Sequence, residues 1–138
     1  KLSGTGTVEL FVDGAADLHS GTAGIGGVFF RNGEELYSFS EFIGSKTNNE
    51  AEYEALIRGI KEAHNLKLLS LNIFADSQLV VRQIIGEYKV KNERMKLLHK
   101  QALELLEKLE NWNIEHVLRD KNTRADALSK SGMEKGRE

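Results

Sequence analysis

Two apolar runs in this chain end in the same way, with an aspartate followed by small or polar residues. The first is ELFVDGAA, whose apolar part ends at Asp13, and the second is LNIFADSQ, whose apolar part ends at Asp76. A carboxylate at the end of a core strand is costly to bury unless a cation meets it. Any fold for this chain must therefore place both acids where such a partner can reach them.

Hydrophobic periodicity divides the chain into strands and helices. Alternation over residues 7–13 predicts a first strand, and the next apolar segment predicts two strands joined at Asn32-Gly33, a dipeptide that suits a tight hairpin. Thr47 and Glu50 have the spacing of a capping box, which predicts the start of a helix. The later predicted elements are a strand in LSLNIFA, a short helix in SQLVVRQIIGEY, a long helix in NERMKLLHKQALELLEKLE, a strand in NIEHVL and a short helix in TRADALSK.

This order of elements, β-β-β-α-β-α-α-β-α, predicts an α/β fold. Three antiparallel strands followed by βαβ crossovers make a five-stranded mixed sheet with helices on both faces. A chain of 138 residues is long enough to form its own hydrophobic core. We expect one domain over residues 1–138, with flexible ends at about residues 1–6 and 131–138.

The two aspartates meet if the first strand and the LSLNIFA strand are parallel neighbours, because open α/β sheets bind ligands at the carboxyl ends of their strands. The first helix supplies a third acid. A step of three residues back from Ala55, which lies in the buried stripe of this helix, reaches Glu52. Glu50 and Glu54 lie off that stripe. Of these three glutamates we therefore expect only Glu52 to point inward.

Asp126, in the last predicted helix, is a fourth candidate. It lies at the margin of a buried face, but an aspartate in a first helical turn also serves simply to complement the helix dipole. A set of carboxylates in a chain without cysteine selects Mg²⁺ or Mn²⁺ over Zn²⁺. Two such ions are the usual apparatus for in-line attack of water on a phosphodiester. The acids therefore predict a metal-dependent reaction on phosphate esters.

Charge and composition narrow the choice of partners. The net charge of −2 argues against a protein that is basic overall, so a nucleic-acid partner needs a local basic patch. The segment YKVKNERMKLLHK is the candidate patch, although it reads equally well as the solvated face of a helix. Because the chain has no cysteine, we expect it in the cytoplasm, and because it has no apolar run of about 20 residues, we expect no membrane partner. We also expect a monomer, since no large exposed apolar stripe calls for a partner.

Four motifs in register resemble those of type 1 ribonuclease H. They are FVDGAA, TNNEAEYEAL, IFADSQLVVRQI and NTRADALSK, between about Val8 and Ser129. The resemblance implies the ribonuclease H-like fold and hydrolysis of the RNA strand of RNA–DNA hybrids, which leaves 3′-hydroxyl and 5′-phosphate ends. It also implies that four carboxylates act as catalytic residues and hold two Mg²⁺ or Mn²⁺ ions. Their positions in this chain are Asp13, Glu52, Asp76 and Asp126.

The resemblance further implies which residues contact the substrate. Asn48, Asn49 and Gln78 would probe the minor groove, whose 2′-hydroxyl groups distinguish RNA from DNA. Thr47 would hold a phosphate of the DNA strand, and Gly14 is a further candidate contact. Contacts of this kind do not read bases, so we expect cleavage to be largely independent of sequence. Double-stranded RNA is a second candidate partner beside the hybrid.

The chain departs from the family pattern in three places. DLHSG replaces the usual G-N-P-G turn and puts His19 where the family has a DNA-binding asparagine. The loop before the last helix lacks the usual histidine, and Arg119 is its nearest substitute. The basic handle helix is missing, so that Lys89 and Lys91 would take over part of its task. We expect the same chemistry with lower turnover.

Two alternatives keep the fold and change the function. A catalytically weak or idle member would bind hybrid or double-stranded RNA without cutting it, and the altered DLHSG turn leaves this open. A protein closer to integrases, resolvases or exonucleases would use a similar acid cluster on DNA. The TNN and DSQ groups argue against the second alternative, since they serve recognition of 2′-hydroxyl groups.

Overall fold

The computed structural model describes residues 7–136 of the chain. Five strands form one sheet: β1 (Val8–Asp17), β2 (Thr22–Arg31), β3 (Glu34–Gly44), β4 (Ser70–Ala75) and β5 (Asn111–His116). The helices are α1 (Asn48–Asn65), α2 (Gln78–Ile84), α3 (Glu93–Glu107) and α4 (Thr123–Lys135), and a 3-10 turn at Arg119–Lys121 precedes α4. None of the helices within this described range is long and apolar enough to cross a membrane.

The sheet has the order β3-β2-β1-β4-β5 and is mixed, as predicted. β1 pairs antiparallel with β2, and β2 pairs antiparallel with β3, whereas β4 pairs parallel with β1 and with β5. The turn between β2 and β3 falls at Asn32 and Gly33, whose φ angles of 52° and 79° are those of a tight hairpin turn. The predicted five-stranded α/β fold is confirmed.

Helices cover both faces of the sheet. Alternation along β1 points Leu10 and Val12 toward α1, where the absence of a side chain at Gly59 lets this helix lie directly on them. On the opposite face, Gly24 and Gly26 of β2 leave room for the backbone of α4. The core therefore lies between β1, β4 and the helices α1 and α3, while α4 rests on small residues of the other face.

α1 begins with the predicted capping box. Thr47 Oγ1 accepts from the backbone N–H of Glu50 at 3.1 Å, and Glu50 Oε1 accepts from the backbone N–H of Thr47 at 2.9 Å. These two hydrogen bonds hold Glu50 against the fold, where the residue is only 7% exposed. The prediction that Glu52 alone points inward is therefore wrong, since the cap draws Glu50 into the fold on a different side of the helix.

Two boundaries near the end of the chain differ from the predictions. β5 ends at His116, and α4 continues to Lys135 rather than ending after TRADALSK. Residues 131–135 are therefore helical, and the prediction of a flexible end there is wrong. The reason is close packing, because Gly132 lies against the backbone of Glu41 in β3. The other predicted flexible residues, 1–6 and 137–138, lie outside the described range.

Candidate active site

β1 and β4 are neighbouring inner strands of the sheet, and they bring Asp13 and Asp76 close together. The two strands run parallel, and their last paired residues are Val12 and Ala75. Asp13 and Asp76 follow these residues directly, so both carboxylates lie where the parallel pairing of β1 with β4 ends, at the carboxyl end of β4. This is the location at which ligands bind in open α/β sheets.

Glu52 reaches the same place from the first turns of α1. Its Oε1 accepts a hydrogen bond of 2.6 Å from the backbone N–H of Gly14. A Cβ atom at position 14 would collide with the backbone of Ala51 and Glu52, so the glycine is what allows β1 and α1 to approach so closely. The distance between strand and helix thus sets the position of the third carboxylate.

The structure brings three of the four predicted acids together. Asp13, Glu52 and Asp76 each offer a carboxylate oxygen, and these oxygens lie within 4.8 Å of one another. Burial, reinforced by the charges of Glu52 and Asp76, raises the pKa of Asp13 well above its usual range. Burial also raises the pKa of Glu52, although the hydrogen bond from Gly14 opposes the rise. Without a cation, Asp13 and Glu52 therefore resist ionising together.

Asp126 lies beside this group but is held differently. Its carboxylate forms ion pairs with Arg119 at 3.3 Å and with Lys130 at 3.0 Å. Burial alone would raise the pKa of Asp126, but hydrogen bonds from Lys130, Asp13 and Arg119 lower it below its usual value. A metal-binding role for Asp126 stays a prediction, and such a role requires these two cations to yield.

Two residues beside these acids carry no obvious functional signal in the sequence. Ser129 Oγ lies 3.1 Å from Asp13 Oδ2 and 2.8 Å from the backbone oxygen of Asp126, and the residue is fully buried. Asn122 Nδ2 lies 3.1 Å from Asp76 Oδ2. The register of α4 against β1 produces both contacts, and this register is not readable from the motif NTRADALSK.

A cavity of about 320 Å³ opens over the three acids. Arg119 and Lys130 contribute positive charge to its wall, and Asn48 is fixed there because its Oδ1 accepts from the backbone N–H of Ala16 at 3.1 Å. Of the predicted site residues, this cavity is lined by Asp13, Gly14, Asn48, Asn49, Glu52, Asp76 and Arg119. Negative charge at its floor and positive charge at its rim suit a phosphate that arrives together with a cation.

A larger groove of about 790 Å³ adjoins this cavity, and Asn49 lines both. The groove runs between the start of α1 and the segment that connects α2 to α3. That segment, residues 85–92, forms no helix, so the predicted absence of a handle helix is confirmed. The predicted contacts that line the groove are Thr47, Asn49, Lys89 and Lys91. Arg94 adds a further cation, 3.6 Å from Glu50.

His19 and Gln78 line neither of these cavities within residues 7–136. His19 is exposed in the turn between β1 and β2, where its backbone N–H donates to Asp17 Oδ1 at 2.9 Å. Gln78 is exposed at the first residue of α2, two positions after Asp76. The contacts predicted for both residues remain predictions, because each side chain faces solvent.

The three acids suit a hard divalent cation. Their donors are all oxygens, one of the acids is almost fully buried, and their charges repel each other. Oxygen donors in a group of this kind select Mg²⁺, Mn²⁺ or Ca²⁺ rather than softer metals. A cation bound there would offset both the burial and the repulsion that raise the pKa of Asp13.

The burial of Asp13 and Glu52, together with the repulsion between the acids, predicts a pH-dependent stability. In the metal-free protein the raised pKa values of Asp13 and Glu52 mean that the unfolded chain ionises these acids more easily than the folded one. The free energy of unfolding should therefore fall as the pH rises above about 4 and through the raised values. Thermal unfolding followed by circular dichroism with EDTA should show this fall.

Millimolar Mg²⁺ should raise the melting temperature more at about pH 8 than at about pH 5, because protons compete with the cation at the lower pH. Asp13→Asn removes one of the repelling charges, so it should stabilise the metal-free protein at about pH 8 by roughly 1–3 kcal/mol. An equal effect of Mg²⁺ at both pH values would contradict the assignment of the cation site to these acids.

Comparisons with known proteins agree with this geometry. Residues 11–132 match the model of the Reverse transcriptase-like family. A curated relative, Ribonuclease HI of Halobacterium salinarum, is 34% identical over 130 residues, which is 94% of this chain and 65% of the relative. The chain spans 65% of the length of this relative and 35% of the length of the Bifunctional protein Rv2228c of Mycobacterium tuberculosis, to which it is 36% identical.

Two solved structures are similar along nearly their whole length. RNase H1 of Halobacterium salinarum superimposes with a TM-score of 0.91 at 34% identity, covering 94% of this chain and 99% of that one. LC11-RNase H1 in complex with RNA/DNA hybrid gives a TM-score of 0.89 at 35% identity, covering 96% and 100%. The fold, the three converging acids and these similarities together show that the chain belongs to the type 1 ribonuclease H family.

Proposed function

We propose that this protein is an endoribonuclease that hydrolyses the RNA strand of RNA–DNA hybrids with the help of two divalent ions, Mg²⁺ or Mn²⁺. The observation that carries the proposal is the group formed by Asp13, Glu52 and Asp76, whose oxygens lie within 4.8 Å of one another under a cavity with a cationic rim. The similar LC11-RNase H1 was solved with an RNA/DNA hybrid, which supports the choice of substrate.

The three carboxylates would serve as ligands of the ions. Bound there, divalent ions would lower the pKa of an attacking water and neutralise the charge on the leaving oxygen. Asp13 is fixed by its burial and by Ser129, and Glu52 is fixed by the N–H of Gly14. In the hydrolysis the water oxygen bonds to phosphorus and the bond from phosphorus to the 3′ oxygen breaks, giving 3′-hydroxyl and 5′-phosphate ends.

The rim of the cavity would position the scissile phosphate. Arg119 lies 73% exposed beside the acids, and its guanidinium can pair with a phosphate once it leaves Asp126. Asn48 and Asn49 at the start of α1 present amides at the mouth of the cavity, where they would meet the 2′-hydroxyl groups of the minor groove. Asp126 would join the ions only after the phosphate has attracted both Arg119 and Lys130 away from it.

The adjoining groove would hold the backbone of the other strand. Lys89 and Lys91 are exposed along it, and the backbone oxygen of Lys89 accepts from the buried Gln83 Nε2 at 3.4 Å, which anchors the segment. Thr47 at the entrance to α1 would contact a phosphate there. Lysine contacts to phosphates release counterions and make binding depend on salt.

The double substitution Lys89→Ala and Lys91→Ala should therefore raise KM for the hybrid several-fold and leave kcat nearly unchanged. The slope of log affinity against log salt should fall by about 1–2. Fluorescence anisotropy with labelled hybrid in EDTA at several salt concentrations measures this slope without cleavage.

The matched control is the double substitution Lys61→Ala and Lys108→Ala. It removes the same charge, but its two lysines are exposed near the opposite ends of α1 and α3 from the groove. Equal salt slopes for the two double variants would show that the groove does not hold the backbone.

One assay tests the proposed function as a whole. Labelled RNA–DNA hybrid, RNA duplex and DNA duplex are each incubated with the protein in EDTA, in Mg²⁺ and in Mn²⁺. We expect metal-dependent cutting of the RNA strand of the hybrid, with 3′-hydroxyl and 5′-phosphate ends at many sequence positions. Binding of hybrid without cutting would indicate an idle binding module instead, and cutting of DNA duplex would indicate a different nuclease.

A further inference from the structure

Asn122 lies at the start of α4 but does not cap it. An asparagine directly before a helix is normally explained by a side-chain hydrogen bond to the free N–H groups of the first turn. Asn122 has φ −124° and ψ 31°, and its side chain makes no such bond. The ordinary explanation for an asparagine at this position therefore does not apply.

The side chain of Asn122 instead points toward the inner strands β1 and β4. The residue is only 2% exposed, and its Nδ2 donates to the backbone oxygen of Val12 at 3.0 Å and to Asp76 Oδ2 at 3.1 Å. Both hydrogens of the amide are thus used, one on the residue before Asp13 and one on the carboxylate that follows β4. A single side chain thus links the middle of β1, directly before Asp13, to the acid that follows β4.

The same amide has a buried oxygen with no partner within residues 7–136. A buried polar atom left without a hydrogen bond destabilises a protein, so this arrangement does not serve stability alone. A smaller residue would avoid that cost. The amide uses both of its N–H groups and leaves its oxygen without a partner, which indicates that the two N–H groups serve the site.

The bond to Asp76 has a direct consequence for cation binding. Asp76 is half-buried at the end of its strand, where rotation about its side-chain bonds would carry the carboxylate away from Asp13 and Glu52. A donor on Oδ2 fixes the plane of the carboxylate and leaves Oδ1 for a cation. Groups that hydrogen-bond a metal ligand in this way orient it, and their loss typically weakens metal affinity 10–100-fold.

We propose that Asn122 is a positioning residue that orients the Asp76 carboxylate for divalent-cation binding by linking it to the backbone of β1 at Val12. This inference rests on the proposed function, because it concerns the same cation site. Asn122, directly before α4, would thus act on the cation site through Asp76. Asp126, in the first turn of α4, would instead act on the cations directly.

The test measures cation affinity directly. Isothermal titration of the full chain with Mn²⁺ alone, without nucleic acid, is carried out for the unsubstituted protein, Asn122→Ala and Asn122→Asp. Asn122→Asp keeps the shape of the side chain but replaces the two donor hydrogens with an oxygen. We expect Mn²⁺ affinity about 10–100-fold lower in Asn122→Ala, and as low or lower in Asn122→Asp. Circular dichroism establishes that each variant is folded.

Kinetics separate positioning from a merely structural role. In Asn122→Ala the Mn²⁺ concentration for half-maximal cleavage should rise by about the same 10–100-fold, while KM for hybrid changes little and saturating Mn²⁺ restores much of kcat. Asn92→Ala is the matched control for the Mn²⁺ titration without nucleic acid; it is not used in the hybrid kinetics, because Asn92 lines the groove proposed for the other strand. Asn92 is the residue that caps α3, through Oδ1 and the N–H of Met95 at 3.1 Å, so its loss lowers the melting temperature without touching the acids.

The outcomes are distinguishable. If Asn122→Ala binds Mn²⁺ as the unsubstituted protein does, within about twofold, the positioning role is overturned and the proposed function stands. If Asn92→Ala weakens Mn²⁺ binding as much as Asn122→Ala does, the effect is one of general stability and the positioning role is again overturned. If the unsubstituted protein binds no Mn²⁺ and cuts no hybrid, the proposed function falls and the positioning role falls with it.

Discussion

Asp13→Asn and Asp76→Asn, tested singly, should each reduce the single-turnover rate of hybrid cleavage by at least about 10³-fold at saturating Mg²⁺. An asparagine keeps the size of the side chain but removes the negative charge that a divalent ion needs. Asp13 and Asp76 each supply one of the three converging carboxylates, so the loss of either one leaves the cation two acids of that group. Hybrid labelled on the RNA strand and quenched at short times gives the rate of the chemical step.

The control for this loss is Asp120→Asn, which removes the charge of an exposed acid in the 3-10 turn before α4. It should leave the rate within about twofold, since exposed substitutions away from the site have small effects. Both active-site variants should remain folded by circular dichroism. A rate within about tenfold of the unsubstituted protein for either one would contradict its assignment as a cation ligand.

Gly14→Ala should have the largest effect on stability, and it should also weaken cation binding. The new Cβ would collide with the backbone of Ala51 and Glu52, and a helix backbone cannot move aside as a flexible side chain can. We expect a loss of at least about 3 kcal/mol in the free energy of unfolding, because overpacking against rigid atoms forces the strand and the helix apart. Urea unfolding at constant pH gives this value.

The same displacement removes the 2.6 Å hydrogen bond from Gly14 N–H to Glu52, so Mn²⁺ affinity should fall in the fraction that remains folded. Gly86→Ala is the matched control. Its Cβ would meet no atom within 4 Å, but its φ of +88° makes the alanine strained by about 1–2 kcal/mol. This control should lose some stability and keep its Mn²⁺ affinity. If the two variants lost equal stability and both kept their affinity, close packing at Gly14 would not be what positions Glu52.

Much of the fold could be predicted from local patterns. The β2–β3 hairpin follows from Asn32-Gly33, the start of α1 follows from Thr47 and Glu50, and the parallel pairing of β1 with β4 follows from the order of elements. Each of these features depends on residues close in sequence or on a general rule of chain topology. The convergence of Asp13, Glu52 and Asp76 could be predicted for the same reason.

The remaining features depend on contacts between distant parts of the chain. Helical periodicity predicts that Glu50 lies off the buried stripe. Glu50 is nevertheless buried, because its side chain bonds back to the backbone of Thr47 in the capping box. The length of α4 depends on glycines in β2 and on Gly132 against β3, which no motif records. The ion pairs of Asp126 and the turn of Asn122 toward Asp76 both follow from how α4 seats on the sheet.

We infer that Asp13, Glu52 and Asp76 converge because together they hold divalent cations. Anomalous diffraction from a crystal grown with Mn²⁺ and a hybrid that resists cleavage would locate these cations. We expect manganese density bonded to carboxylate oxygens of these three residues and to the phosphate of the RNA strand. Hybrid seated over the cavity with no manganese at these carboxylates, or manganese held by other residues, would contradict this inference.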